Sequence, residues 1–145
     1  MPTSRKPERL VVDANPILAA LLGGQARRVF FEAGVQEFAV PEPVIDEVSR
    51  YVPSLARKLG VDVALVQYAL ELLPLRRYPA GAYARALGEA RRRLAGRDPD
   101  DVAPLALALQ LGIPLWSNDR DFEGTRIEWF TSAQLLALFF PPSTR

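Results

Sequence analysis

The sequence predicts a single α/β domain: a short, mostly parallel, twisted sheet flanked by helices. Three observations carry this. The short continuous apolar run at residues 10–12 fits a strand buried on both faces, as in parallel sheets, and residues 37–41 and 113–116 are further short strands. Longer segments with helical periodicity stand between them, which is the alternation of βαβ units. The 145 residues suit one domain with one core, and no repeat, low-complexity tract or linker divides them. The domain is taken as 1–145, with residues 1–8 and 141–145 as polar tails.

The elements follow in order. "LVVD" is the first strand, ending in an acid. Pro16 sits where a helix can begin, "ILAALLGG" continues it, and Gly23-Gly24 stops it. "QARRVFFEAGV" is a second short helix and "EFAVP" the next strand. Over residues 43–60 the apolar positions Val44, Val48, Tyr51, Val52, Leu55 and Leu59 form one helical stripe. "VDVALVQYALELL" repeats the pattern until Pro74. After Pro79, "AGAYARALGEARRRLAG" predicts a polar, arginine-rich helix. Residues 102–111 are apolar almost all round, which marks a buried helix. "IPLW" and "RIEWF" are strands, and "TSAQLLALFF" is a final helix with Thr131 or Ser132 as N-cap.

Composition narrows the chemistry. There is no cysteine, so disulfides, thiolate metal sites and cysteine nucleophiles are excluded. There is no histidine, which excludes Ser-His-Asp triads and histidine acid–base catalysis. A net charge of +1 gives no global pull toward nucleic acid or membranes, so steering must come from local patches. No apolar run approaches the roughly 20 residues that span a bilayer, and no basic-then-apolar leader opens the chain. A soluble, cytoplasmic protein is the expectation.

Carboxylates, hydroxyls, arginine and a hard cation remain. In a parallel α/β sheet, ligands bind outside the carboxyl ends of the strands. Asp13 follows the first strand directly and Asp119 follows "IPLWS", so parallel pairing of these strands places both at one edge. Glu47 lies about 60° from Val44 around its helix, on the shoulder of the buried stripe, whereas Glu42 and Asp46 face solvent. Asp101 opens the most buried helix. Its neighbours Asp98 and Asp100 are explained by capping, with Pro99 at the first helical position, and by the helix dipole, worth about 0.3–1 kcal/mol each. Three acids exceed the needs of one cap. Converging carboxylates repel unless neutralised, and oxygen-only ligands suit Mg²⁺ or Mn²⁺. Such ions activate water and stabilise the leaving oxygen of a phosphodiester.

"VVDANPIL", "EVSRY", "DPDDVAPLALALQLG" and "PLWSNDRDF" resemble, in order and spacing, the acidic motifs of the PIN-domain ribonucleases, which include the toxins of VapBC toxin–antitoxin pairs. The resemblance runs from Leu10 to about Phe139 and implies a PIN-like fold. It assigns Asp13, Glu47, Asp101 and Asp119 as catalytic and metal-holding residues, with Asp98 and Asp121 as further metal candidates and Asn15 and Ser117 as small polar supports. Asp101 is preferred over its neighbours because Ala106 and Ala108 follow it at the family's spacing. "DANP" departs from toxin forms that carry Ser or Thr near the first acid. The family implies Mg²⁺-dependent RNA cleavage, homodimers and, for toxins, an antitoxin partner. The alternative is a catalytically silent PIN-like module that binds RNA or protein; retention of all four acids counts against it. A phosphotransfer domain fits less well, since neither Lys6 nor Lys58 follows a late strand and Asn15 stands where a phosphatase of the haloacid type has a second Asp.

Two surfaces complete the reading. Seven arginines against one acid, Glu89, occupy residues 76–97, with Tyr78 and Tyr83 interleaved. Arg91, Arg92 and Arg93 are candidates for RNA phosphates and the tyrosines for base stacking. The bland reading is a solvated helix face with Arg85–Glu89 and Glu89–Arg93 pairs. Residues 61–73 are either core or, as in relatives, part of a dimer or antitoxin interface. Trp116 and Trp129 are expected in the core.

Overall fold

The computed structural model describes residues 5–143; the outermost parts of the expected tails, 1–4 and 144–145, lie outside the described residues. Five strands, β1 (Arg9–Val12), β2 (Glu37–Pro41), β3 (Leu75–Tyr78), β4 (Leu115–Trp116) and β5 (Trp129–Phe130), form one sheet in the order β3-β2-β1-β4-β5. Every pairing is parallel. The order reverses direction at β1, so the edge between β1 and β4 is the topological switch point of the fold.

Both faces of the sheet are covered, which is why the three central strands β1, β2 and β4 read as short apolar runs. Leu10, Val12, Phe38, Val40 and Trp116 face one side and pack under α1 (Ala14–Leu21), α2 (Ala26–Glu32), α3 (Glu42–Leu59), α4 (Val63–Leu72) and α7 (Ser132–Phe139). Val11, Ala39 and Leu115 point to the other side, against α5 (Leu87–Leu94) and α6 (Val102–Leu111). The alternation is the period of two inherent to strands. Phe30 packs its ring 4.7 Å from Trp116 and 4.9 Å from Phe38, pinning α2 to the sheet. Trp116 is fully buried, while Trp129 is only half-buried.

Helix ends follow local chemistry. α1 begins at Ala14, ahead of Pro16, because Asp13 caps it by accepting from the Ala14 amide at 2.8 Å. α6 stops at Gly112, whose φ of 68° suits a residue without Cβ. Thr131, not Ser132, caps α7, in a reciprocal capping box with Gln134.

The structure corrects the sequence reading in several places. β3 was not foreseen: "LRRY" lacks a buried alternation because an edge strand needs only one neighbour, here β2. The helix expected after Pro79 is two 3-10 turns (Ala80–Ala82 and Ala84–Ala86) followed by the short α5. Tyr83 leaves helical geometry at φ −131° and is 2% exposed in the core, so it does not stack bases; burial of its ring outweighed helix propensity. Arg85 then falls outside α5, while Glu89 keeps the expected pair with Arg93 and gains one with Arg92. In α3, Val44, Val48, Val52 and Leu55 are buried, with Ile45 and Ala56 added, but Tyr51 and Leu59 are exposed. The expected strands 113–116 and "RIEWF" contract to two residues each. Finally, α4 buries only Val66 and Leu70, leaving Val63, Leu65, Tyr68 and Leu72 open to solvent. No helix among the described residues is long and apolar enough to cross a membrane.

Candidate active site

The parallel register Val12↔Trp116 sets the residues that follow, Asp13 and Ser117, side by side where β1 and β4 end. The Asp13 amide donates to the Trp116 carbonyl at 3.0 Å, and the Ser117 amide to that of Phe130 at 3.0 Å, extending the ladder past both strands. Ser117 is fully buried and its hydroxyl donates to Asp13 Oδ2 at 2.7 Å. With Ala14 on Oδ1 at 2.8 Å, both oxygens of Asp13 have a donor. The same hydroxyl accepts from the Asp119 amide at 3.0 Å, so one serine joins two acids.

Asn15 reinforces the junction. Its Nδ2 reaches Ser117 Oγ at 3.4 Å, and its Oδ1 accepts from the Asn118 amide at 3.0 Å. Asn118 Oδ1 accepts from the Ser132 amide at 2.7 Å, and Trp129 Nε1 donates to the Ser117 carbonyl at 2.8 Å. Trp116 Nε1 in turn donates to Ser132 Oγ at 2.9 Å. The loop after β4 is thereby held by partners from α1, β5 and α7. Asp119 accepts from the Asp121 amide at 2.9 Å, which folds residues 119–121 into a tight turn.

A crevice of about 120 Å³ opens above this junction. Six acids line it: Asp13, Glu47, Asp98, Asp100, Asp101 and Asp119. Asn15, Leu18 and Tyr51 complete the walls. Asp98 caps the 3-10 turn Pro99–Asp101 by accepting from the Asp100 amide at 2.9 Å, and this turn delivers Asp101 inward. Asp101 is 4% exposed, and its Oδ2 is a buried oxygen with no hydrogen-bond partner among the described residues. One carboxylate oxygen each from Asp101, Asp119 and Asp121 lies within 4.8 Å of the others.

Electrostatics follow from this crowding. Burial, then Asp119 and Asp13, push the Asp101 carboxyl up to about 8, with Asp121 and Asp98 adding to it. Burial raises Asp13 too, against the opposing pull of the Ser117 hydroxyl and the Ala14 amide. Burial also raises Glu47, followed by Asp100 and Asp13, with Arg50 opposing. A buried carboxylate oxygen lacking any donor, beside two more carboxylates, is the arrangement a hard divalent cation satisfies and a hydrogen-bond network does not. The donor set therefore fits Mg²⁺ or Mn²⁺.

Of the residues singled out in the sequence, Asp13, Asn15, Glu47, Asp98, Asp101 and Asp119 meet in the crevice, Asp121 joins the close carboxylate trio, and Ser117 lies beneath. Asp100, read only as a capping residue, also lines the crevice. Tyr51 was read as core, yet it follows Glu47 by four positions, about 40° round the helix, and that spacing could have placed it here. The three arginines divide. Arg93 donates to Glu89 at 2.9 Å and to the carbonyls of Thr125 and Arg126 at 3.1 and 3.4 Å. Arg92 pairs with Glu89. Arg91 lines a second pocket that touches the crevice.

The family model described as the PIN domain matches residues 11–137. No curated protein matches the chain. Among solved structures it is similar to a chain of the crystal structure of VapBC2 from Rickettsia felis bound to a DNA fragment from their promoter. The TM-score is 0.66 and the identity 15%, over 85% of this chain and 98% of that one, a likeness of fold. The matched segment contains the end of β1, the other four strands and all the acids of the crevice, and the chain belongs to the PIN-domain family.

Proposed function

We propose that this chain is a metal-dependent endoribonuclease that hydrolyses RNA phosphodiester bonds as the toxin of a cytoplasmic toxin–antitoxin pair. The observation that carries the reading is the buried, partnerless Oδ2 of Asp101, whose carboxylate clusters with those of Asp119 and Asp121 at the crevice that Asp13 lines. Asp13, Asp101 and Asp119, with Glu47, Asp98 and Asp121 around them, would hold one or two Mg²⁺ or Mn²⁺. When bound, the cation activates water for attack and stabilises charge on the phosphoryl and leaving oxygens.

The chain's own groups do the rest. Ser117 and the Ala14 amide fix the Asp13 carboxylate in one orientation. Asn15, through Asn118, holds the loop that carries Asp119. Glu47, on the crevice wall with its pKa raised, accepts a proton from the attacking water at its carboxylate. Of the three candidate arginines, Arg91 supplies positive charge beside the crevice for RNA, while Arg92 and Arg93 are engaged by Glu89. The open apolar face of α4 takes a second copy in a homodimer or the antitoxin protein.

The test is cleavage of single-stranded RNA by the protein with Mg²⁺, with EDTA, and as Asp13→Asn. Cleavage in the first case alone is expected; equal cleavage in all three refutes the proposal.

A further inference from the structure

Beside the acidic crevice lies a second pocket of about 270 Å³, and Glu47 and Asp100 belong to the walls of both. Ala80, Tyr83, Leu87 and Val102 give it apolar sides, and Arg91 is its one cation. Among the described residues Arg91 has no hydrogen-bond or ion-pair partner, unlike Arg92 and Arg93. Leu87, Val102 and Ala103 are only half-buried although each packs against the core on this side of the sheet. Apolar surface is thus left open to water next to the carboxylates.

We infer that this pocket receives one unpaired base of the RNA, from a nucleotide adjoining the scissile phosphate, while Arg91 holds a neighbouring phosphate. The inference rests on the nuclease reading above and adds a substrate subsite to it. Size supports it: the volume is just under the roughly 300–1,000 Å³ of pockets that take drug-sized ligands, which suits a single base and excludes a base pair. Chemistry supports it as well. A base has two apolar faces for Leu87, Val102 and Ala103 to cover, and RNA is read mainly through bases splayed out of single strands. Charge completes the path. The phosphate chain crosses an anionic wall at Glu47 and Asp100, and the free guanidinium of Arg91 stands on the far side to receive it. The enzyme therefore acts on single-stranded RNA and not on a duplex.

The experiment uses the full chain, a mixed-sequence single-stranded oligoribonucleotide, and versions of it with one abasic ribose moved stepwise past the mapped cut. Ala80→Trp fills the pocket from an exposed position, and Arg91→Ala removes the cation; circular dichroism and Tm verify folding. Wild type should lose at least tenfold in kcat/KM when the abasic ribose occupies one position beside the cut. Ala80→Trp should show that loss on intact RNA and no further loss on the abasic strand. Arg91→Ala should raise KM about tenfold while kcat stays within twofold. Insensitivity to every abasic position, or an Ala80→Trp protein as active as wild type, overturns the inference, and Arg91→Ala decides alone if Ala80→Trp does not fold. If wild type cuts nothing with Mg²⁺, the nuclease reading fails separately. Fluorescence anisotropy of the same RNA then decides the pocket: binding tenfold weaker in both variants sustains it, and equal binding overturns it.

Discussion

The Ser117 hydroxyl donates to Asp13 Oδ2 at 2.7 Å across 104 residues of sequence. The bond locks the carboxylate that ends β1 to the residue that ends β4, and both groups are buried. Ser117→Ala leaves Asp13 Oδ2 without this donor. A buried hydrogen bond to a charged group contributes about 1.5–3 kcal/mol, so Tm should fall by several degrees. The Asp13 carboxyl should rise further, because the hydroxyl now holds it down. Calorimetric titration with Mn²⁺ should show weaker binding; unchanged Tm and affinity would refute the role.

Metal-free stability should fall with rising pH. Folded Asp101 keeps its proton up to about pH 8, whereas in the unfolded chain it ionises near 3.8. The folded state binds more protons between those values, so unfolding free energy decreases through that window and levels off above it. Asp13 and Glu47, also raised, add to the acid side of the trend. The Tm of EDTA-treated protein should drop from pH 5 to 8. Millimolar Mg²⁺ should restore it most at the alkaline end, because binding displaces the proton.

Asp101→Asn replaces the carboxyl with a neutral group of like shape. The metal-free variant should be at least as stable as wild type at pH 8, its slope of Tm against pH should flatten, and Mg²⁺ should no longer raise its Tm. Differential scanning fluorimetry with and without the ion measures all three. A Mg²⁺-dependent shift persisting in Asp101→Asn would move the cation elsewhere.

Arg93→Ala should cost stability and leave RNA affinity nearly unchanged, since its guanidinium is engaged by Glu89 and two carbonyls of the loop before β5. The loss should read as a fall in Tm, from the released carbonyls of Thr125 and Arg126. Arg91→Ala should instead reduce the slope of log affinity against log salt by about 0.7 to 1. The reverse assignment of the two effects would be a clear failure.

Leu65 and Tyr68 are 55% and 61% exposed on α4, so Leu65→Arg and Tyr68→Glu should fold normally. Both should abolish self-association, or capture by the antitoxin, if that face is the interface. Light scattering after size exclusion decides between a dimer lost on substitution and a chain that is monomeric throughout.

Several parts of this site are legible in the sequence alone. Asp13 and Asp119 each follow an apolar run, and a parallel sheet must bring the ends of such runs to one edge. Glu47 followed from its angle to Val44. Asp100 was legible as a cap and Asp98 as a cap and a further metal candidate, because nothing local to "DPDD" says which side chain turns inward. Tyr83 misled for a related reason: a tyrosine among arginines looks like a stacking platform until the opposite wall, α6 and Phe122, is present to bury it. β3 escaped because its half-exposed pattern matches no strand template.

What the amino-acid order determined was the element types and the positions of the acids, since both depend on interactions within a few residues: periodicity, capping and chain direction. Which acid loses its solvent, which arginine is engaged and which apolar face stays open depend on contacts between segments tens of residues apart. Those contacts set burial and therefore charge, and only the assembled tertiary structure supplies them.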